Sequence, residues 1–147
     1  MVRSRLGRTC PPPSDAWRGL TAVPDDPDSG EAEAGRSLRA RGRFTRNFVV
    51  QASAADWAIV LLAGLRLRLA AISSPNETGA RAAVPAAARL VFFQHDEVIV
   101  HCPESTAGAV VDAIGSAAAE AGRLVFGPTP VRFPVPTAVV ASYADAK

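Results

Sequence analysis

The segment Gln94-His95-Asp96-Glu97 interrupts an otherwise apolar stretch, with Val91, Phe92 and Phe93 before it and Val98, Ile99 and Val100 after it. Adjacent carboxylates are disfavoured inside a packed strand. Asp96 and Glu97 therefore suit one of two settings. The first is a solvated reversal between two strands. The second is a divalent-cation site, because hard Mg²⁺ or Mn²⁺ is held by one or two carboxylates while water and substrate phosphate complete the shell. A zinc site from His95, His101 and Cys102 fits poorly, since the spacing matches no closed site and strand alternation turns His101 and Cys102 to opposite faces. A hydrolase built on His95 and Asp96 would need further acids, and no motif links Asp112 or Glu120 to this segment.

A second constellation is Arg43, Asn47 and Gln51, each four residues after the last, followed by Ser53-Ala54-Ala55-Asp56. On a helix these three long polar side chains share one stripe and reach acceptors on base edges or phosphates. The same pattern also describes the polar face of an amphipathic helix. Arg36, Arg39, Arg41, Arg43 and Arg46 fall within eleven acid-free residues, the one dense basic run of the chain. It is either a solvated helix face or a track that contacts phosphates.

These groups must be positioned by a small set of elements. Residues 1–35 carry five prolines and six acids between positions 10 and 35, and read as a loop-like N-terminal segment. From 53 to 71, Trp57, Val60, Leu61, Gly64 and Leu65 recur at three and four residues, which predicts a helix with Ser53 at its N-cap. Residues 73–85 lack periodicity and read as a loop. Residues 89–94 and 98–102 form a predicted hairpin with His95-Asp96-Glu97 at its tip. A second helix is expected over 104–121, with Val110, Val111, Ile114 and Ala118 buried and Gly122 near its end, then a last strand over 131–141, at an edge because of Pro134 and Pro136. The expected class is α+β: an antiparallel hairpin plus a C-terminal strand, with helices packed on one face.

Composition narrows the class only slightly. The chain has 147 residues, 16 basic and 14 acidic side chains and a formal charge of +2, so it suffices for one domain and its net charge does not single out a nucleic-acid partner. Two distant cysteines exclude a disulfide framework. The apolar run 58–65 is too short to span a bilayer and no secretory pattern opens the chain, so the expectation is a cytoplasmic protein with no membrane partner.

Together, Arg43-x-x-x-Asn47-x-x-x-Gln51-Ala-Ser-Ala-Ala-Asp56 and, about forty residues later, Gln94-His95-Asp96-Glu97 between apolar strands resemble the C-terminal part of the palm in family-A DNA polymerases, the bacterial DNA polymerase I family. The resemblance covers nearly the whole chain. Leu6-Gly7-Arg8 is similar to the segment that follows the fingers, and Ser142-Tyr143-Ala144-Asp145-Ala146-Lys147 to the extreme C-terminus. The Ala- and Arg-rich style is similar to actinobacterial members described as bifunctional 3′-5′ exonuclease/DNA polymerases. Residues 36–147 are thus expected to be a partial palm. Ala52 stands where the family usually has Gly, and Ser53 where Thr is common.

The resemblance implies roles. Asp96 matches the second of two catalytic aspartates that hold a pair of Mg²⁺ ions, Glu97 the supporting carboxylate beside it, and His95 a position near the primer terminus. Arg43 and Gln51 match contacts to the primer-template minor groove, Asn47 supports them, and Arg46 joins the DNA-binding set. The implied activity is template-directed nucleotidyl transfer in DNA replication and repair, with primer-template DNA and dNTP as partners and a nucleoid-associated location. The family's first palm motif, which carries the other metal-binding aspartate, and its fingers set of Arg, Lys and Tyr-Gly are absent from these residues. A lone Asp96 with Glu97 cannot build the two-metal clamp that in-line displacement needs. The chain alone is therefore expected to be inactive, with the missing N-terminal polymerase portion as its partner. The alternative is a non-catalytic DNA-binding remnant that uses the 36–46 track.

Overall fold

The computed structural model describes residues 2–22, 31–72 and 88–146. Their elements are helices α1 (Asp15–Thr21), α2 (Glu31–Ile72) and α3 (Ala107–Phe126), strands β1 (Arg89–Gln94) and β2 (Glu97–His101), and two short 3-10 turns. The class is α+β with a two-stranded antiparallel sheet. The chain divides into two compact units, Met1–Asp56 and Trp57–Lys147.

In the first unit, the opening residues fold back through an antiparallel bridge between Arg3 and Thr9, with Gly7 at a φ of 92° in the reversal. That backbone conformation favours glycine. Ser14 caps α1 by accepting the Trp17 backbone N–H, and the Trp17 indole N–H donates to the Ser37 carbonyl on α2. The region 31–56 is rich in Ala and Arg, which are strong helix formers, and contains no proline, so the helix runs unbroken through it.

In the second unit, Leu65 and Leu69 of α2 meet Val110, Ala113, Ile114 and Ala117 of α3 in the main core. Small side chains allow this approach: a Cβ on Gly64 would lie 3.9 Å from the Ala117 methyl. Leu90, Val98 and Val100 bring the inner face of the hairpin onto the same core, so the helices cover one face of the sheet. Val91, Phe92 and Phe93 remain exposed. Phe133 of the C-terminal tail stacks on Phe126 at 4.9 Å and lies 5.6 Å from Trp57.

Several expectations are corrected. The predicted helix at 53–71 is the end of a 42-residue helix, so Ser53 is interior and not an N-cap. The N-terminal segment is not wholly loop-like: α1 and the start of α2 fall within it, because five prolines can mark helix boundaries as well as coil. The loop expected at 73–85 and residues 23–30 lie outside the described residues. Helix α3 passes Gly122 and ends at Gly127, whose φ of 70° and N–H bond to the Arg123 carbonyl close the last turn. No strand forms over 131–141. Pro134 and Pro136 lack the N–H a ladder requires, and Phe133 and Val135 pack on the core from an extended tail instead. One window of α2 is long and apolar enough, by length and composition, to cross a bilayer, although the run 58–65 is not. Along it Leu61, Leu65 and Leu69 are buried in the second unit's core, while Ile59 and Leu67 are exposed.

Candidate functional site: a carboxylate hairpin tip and a basic helix stripe

The hairpin tip follows from its register. Gln94 pairs with Glu97, leaving His95 and Asp96 as a two-residue turn, so Glu97 belongs to β2 and not to the tip proper. His95 has a φ of 56°. A first central residue with positive φ gives the chain a twist that matches the flanking strands, at a cost of about 1 kcal/mol for a side chain with a Cβ. Val91 is the extra residue of a bulge, since Leu90 pairs with Val100 and Phe92 with Ile99.

Asp96 has a side-chain exposure of 94%, and among the described residues its ionic neighbour is His95, with Nδ1 at 3.6 Å from Oδ1. Its oxygens are open to solvent. Glu97 differs. The Tyr143 hydroxyl donates to Glu97 Oε1 at 2.9 Å, and this bond to a carboxylate pushes the phenol pKa up from its ordinary value. The oxygens of Asp96 suit Mg²⁺, which takes one or two carboxylates within a water-rich shell. No group of three His, Cys, Asp or Glu side chains that could hold a metal occurs among the described residues. Cys102 packs on the core while His101 is exposed, so the pair turns apart as strand alternation requires.

The second constellation lies in the first unit. Arg36, Arg39, Arg43, Arg46, Asn47 and Gln51 are all exposed along α2, at spacings of three and four that keep them on one stripe. Arg36, Ser37, Arg39, Ala40 and Arg43 line a shallow surface depression. Arg41 leaves the track. Its guanidinium donates to the Pro11 carbonyl at 2.5 Å and lies 5.1 Å from the Phe44 ring centroid, so it anchors the N-terminal segment. The basic run of five is therefore a stripe of four.

One polar centre in the first unit escaped the sequence reading. Asp56, only 3% exposed, accepts from the Ser4 hydroxyl at 2.6 Å, the Leu6 N–H at 3.1 Å and the Arg8 guanidinium at 2.5 Å. Burial pushes its carboxyl up, but the bonds from Ser4, Arg8 and Leu6 outweigh this and hold it below the ordinary value. An aspartate beside Trp57, Val60 and Leu61 signals a buried charge in need of a partner. It does not say which arginine supplies it. In the second unit Glu120 pairs with Arg68 at 2.6 Å, which occupies the acid that a hydrolase site would have used.

No family model, curated protein or solved structure matches the chain.

Proposed function

We propose that the chain is the C-terminal palm segment of a family-A DNA polymerase, contributing to template-directed nucleotidyl transfer in a larger enzyme and inactive by itself. The observation that carries the reading is the pairing of two patterns in one sequence: Arg43, Asn47 and Gln51 along an exposed helix stripe, and His95-Asp96-Glu97 at a tight hairpin. In this reading Asp96 offers oxygens to Mg²⁺, with Glu97 beside it. Bound Mg²⁺ would stabilise the attacking and leaving oxygens of the displacement. His95 sits at the primer end. Arg43 and Gln51 donate to the N3 and O2 acceptors of the minor groove, which look alike for every correct pair, and Asn47 supports them. The fingers set of Arg and Lys that would clamp the triphosphate in this family is not in these residues, so in this reading the larger enzyme supplies it.

The test is primer extension with Mg²⁺ and dNTP. The chain alone is expected at background, with incorporation appearing only when a polypeptide bearing the first palm motif and the fingers is added. Asp96→Ala should abolish that gain. Extension by the chain alone, lost on Asp96→Ala, would overturn the inactivity; no gain from the added portion would count against the polymerase assignment.

A second reading has its own support. Arg36, Arg39, Arg43 and Arg46 are exposed and make no ion pair among the described residues, which suits sequence-independent contact with DNA phosphates. A chain acting only in this way binds duplex without Mg²⁺ and is unaffected by Asp96→Ala.

A further inference from the structure

One line of residues along the first unit's part of α2 is covered. Ser37, Arg41, Thr45, Phe48, Ala52 and Asp56 follow one another at three or four residues, and every residue from 36 to 52 that is not exposed belongs to this line. The opening segment of the chain is bonded along it and runs opposite to the helix. Ser4, Leu6 and Arg8 donate to Asp56, and the Arg5 N–H to the neighbouring Ser53 hydroxyl. Further on, the Pro11 carbonyl accepts from Arg41, and the Trp17 indole donates to the Ser37 carbonyl. Residues 3–17 thus form a strap tied at both ends, with the nearly buried pair Ser4 and Asp56 closing one of them. Arg39, Arg43 and Arg46 each stand two residues from a member of the covered line, which is about 200° around a helix. The strap and the arginine stripe therefore occupy opposite sides of one helix.

We infer that this strap is a positioning device for the stripe: it keeps residues 36–46 helical, so that Arg36, Arg39, Arg43 and Arg46 meet the phosphates of a DNA duplex as one preformed row. The inference rests on the DNA-phosphate reading of the stripe and adds the element that organises it. Like charges three and four residues apart repel one another on a helix, and a helix in water draws most of its stability from packing on one face. The strap supplies such a face here. Where the helix frays, only the fraction of molecules with the row formed binds well, and the apparent affinity falls by that fraction. By reciprocity, duplex held on the row steadies the strap on the far side.

The test is binding of a short random-sequence DNA duplex to the full-length protein at low salt, read beside amide hydrogen exchange. Asp56→Asn separates the possibilities because its two effects have opposite signs. Deleting a carboxylate and freeing Arg8 makes this unit more basic, which by charge alone tightens binding. Loss of the strap instead weakens it, and a several-fold weaker affinity is expected. Ser4→Ala, which changes no charge, should weaken binding in the same direction but less. Exchange at 36–50 should quicken in Asp56→Asn while that of α3 stays unchanged, and saturating duplex should slow exchange of residues 3–9 in the wild type. Binding by Asp56→Asn as tight as the wild type or tighter overturns the positioning role and leaves the phosphate reading standing. Unchanged exchange at 36–50 in that variant does the same. Absence of duplex binding by the wild type overturns the phosphate reading and this inference with it.

Discussion

Arg8 and Asp56, 48 residues apart in sequence, form a 2.5 Å ion pair that ties the opening loop of the chain to the middle of its longest helix. The carboxylate is nearly buried while the guanidinium is about half exposed. Arg8 is therefore readily solvated in the unfolded chain and loses only part of that hydration on folding. Asp56 pays the larger desolvation cost, and its three donors offset it.

Acid should release this loop. Asp56 is held below its ordinary pKa, so its contribution is fully present above the unfolded value and disappears as pH falls through the folded one, below about pH 4. Hydrogen exchange of residues 3–9 should accelerate there. Asp56→Asn should show the faster exchange already at neutral pH, cost about 2 kcal/mol, and lack the acid transition.

His95 carries a Cβ in the left-handed region at a φ of 56°. His95→Gly removes that penalty and should stabilise the second unit by about 1 kcal/mol in urea unfolding. The same substitution deletes the imidazole proposed for the primer end. A gain in stability together with a loss of activity in the reconstituted enzyme is the expected combination, because strain retained at a tip marks it as functional.

Gly122 lies under the Phe133 ring, where a Cβ would sit 3.1 Å from the nearest ring carbon. Gly122→Ala should push the ring out of its stack with Phe126 and away from Trp57, at a cost of about 1–3 kcal/mol. Trp57 emission reports the change. An unaltered spectrum and stability would mean that the tail does not rest there.

The arginine stripe predicts a salt dependence. With four guanidiniums neutralising four phosphates, log K for duplex binding should fall with log salt with a slope of about −3.6. Arg36→Ala or Arg39→Ala should each flatten the slope by about 0.9 without changing sequence preference, whereas Arg41→Ala, directed at the N-terminal anchor, should leave the slope unchanged.

Much of the second unit was legible because its signals are local. Two short runs rich in Val, Ile and Phe around a polar interruption mark a hairpin wherever it packs, and the four-residue spacing of Val110, Ile114 and Ala118 marks a buried helix face. Prolines at 134 and 136 warned of a poor strand, and no strand formed. The helix start was misplaced for a related reason. Ser53 looks like a cap, but helix-forming residues continue on its N-terminal side, and its hydroxyl instead accepts the Arg5 backbone N–H at 3.3 Å.

The sequence by itself determined the hairpin, the second helix and the chemical types at the tip and on the stripe, since spacing and propensity act within a few residues. It left three pairings open: Arg8 with Asp56, Tyr143 with Glu97, and Arg41 with Pro11. Each joins residues at least 30 positions apart, and each had several chemically equivalent candidates, because the chain holds many arginines and acids. Only the packed chain decides among them: for Asp56 because a buried charge needs a partner that geometry supplies, and for the two exposed contacts because tertiary approach sets which groups meet. That choice separates Arg41 from the stripe and Glu97 from Asp96.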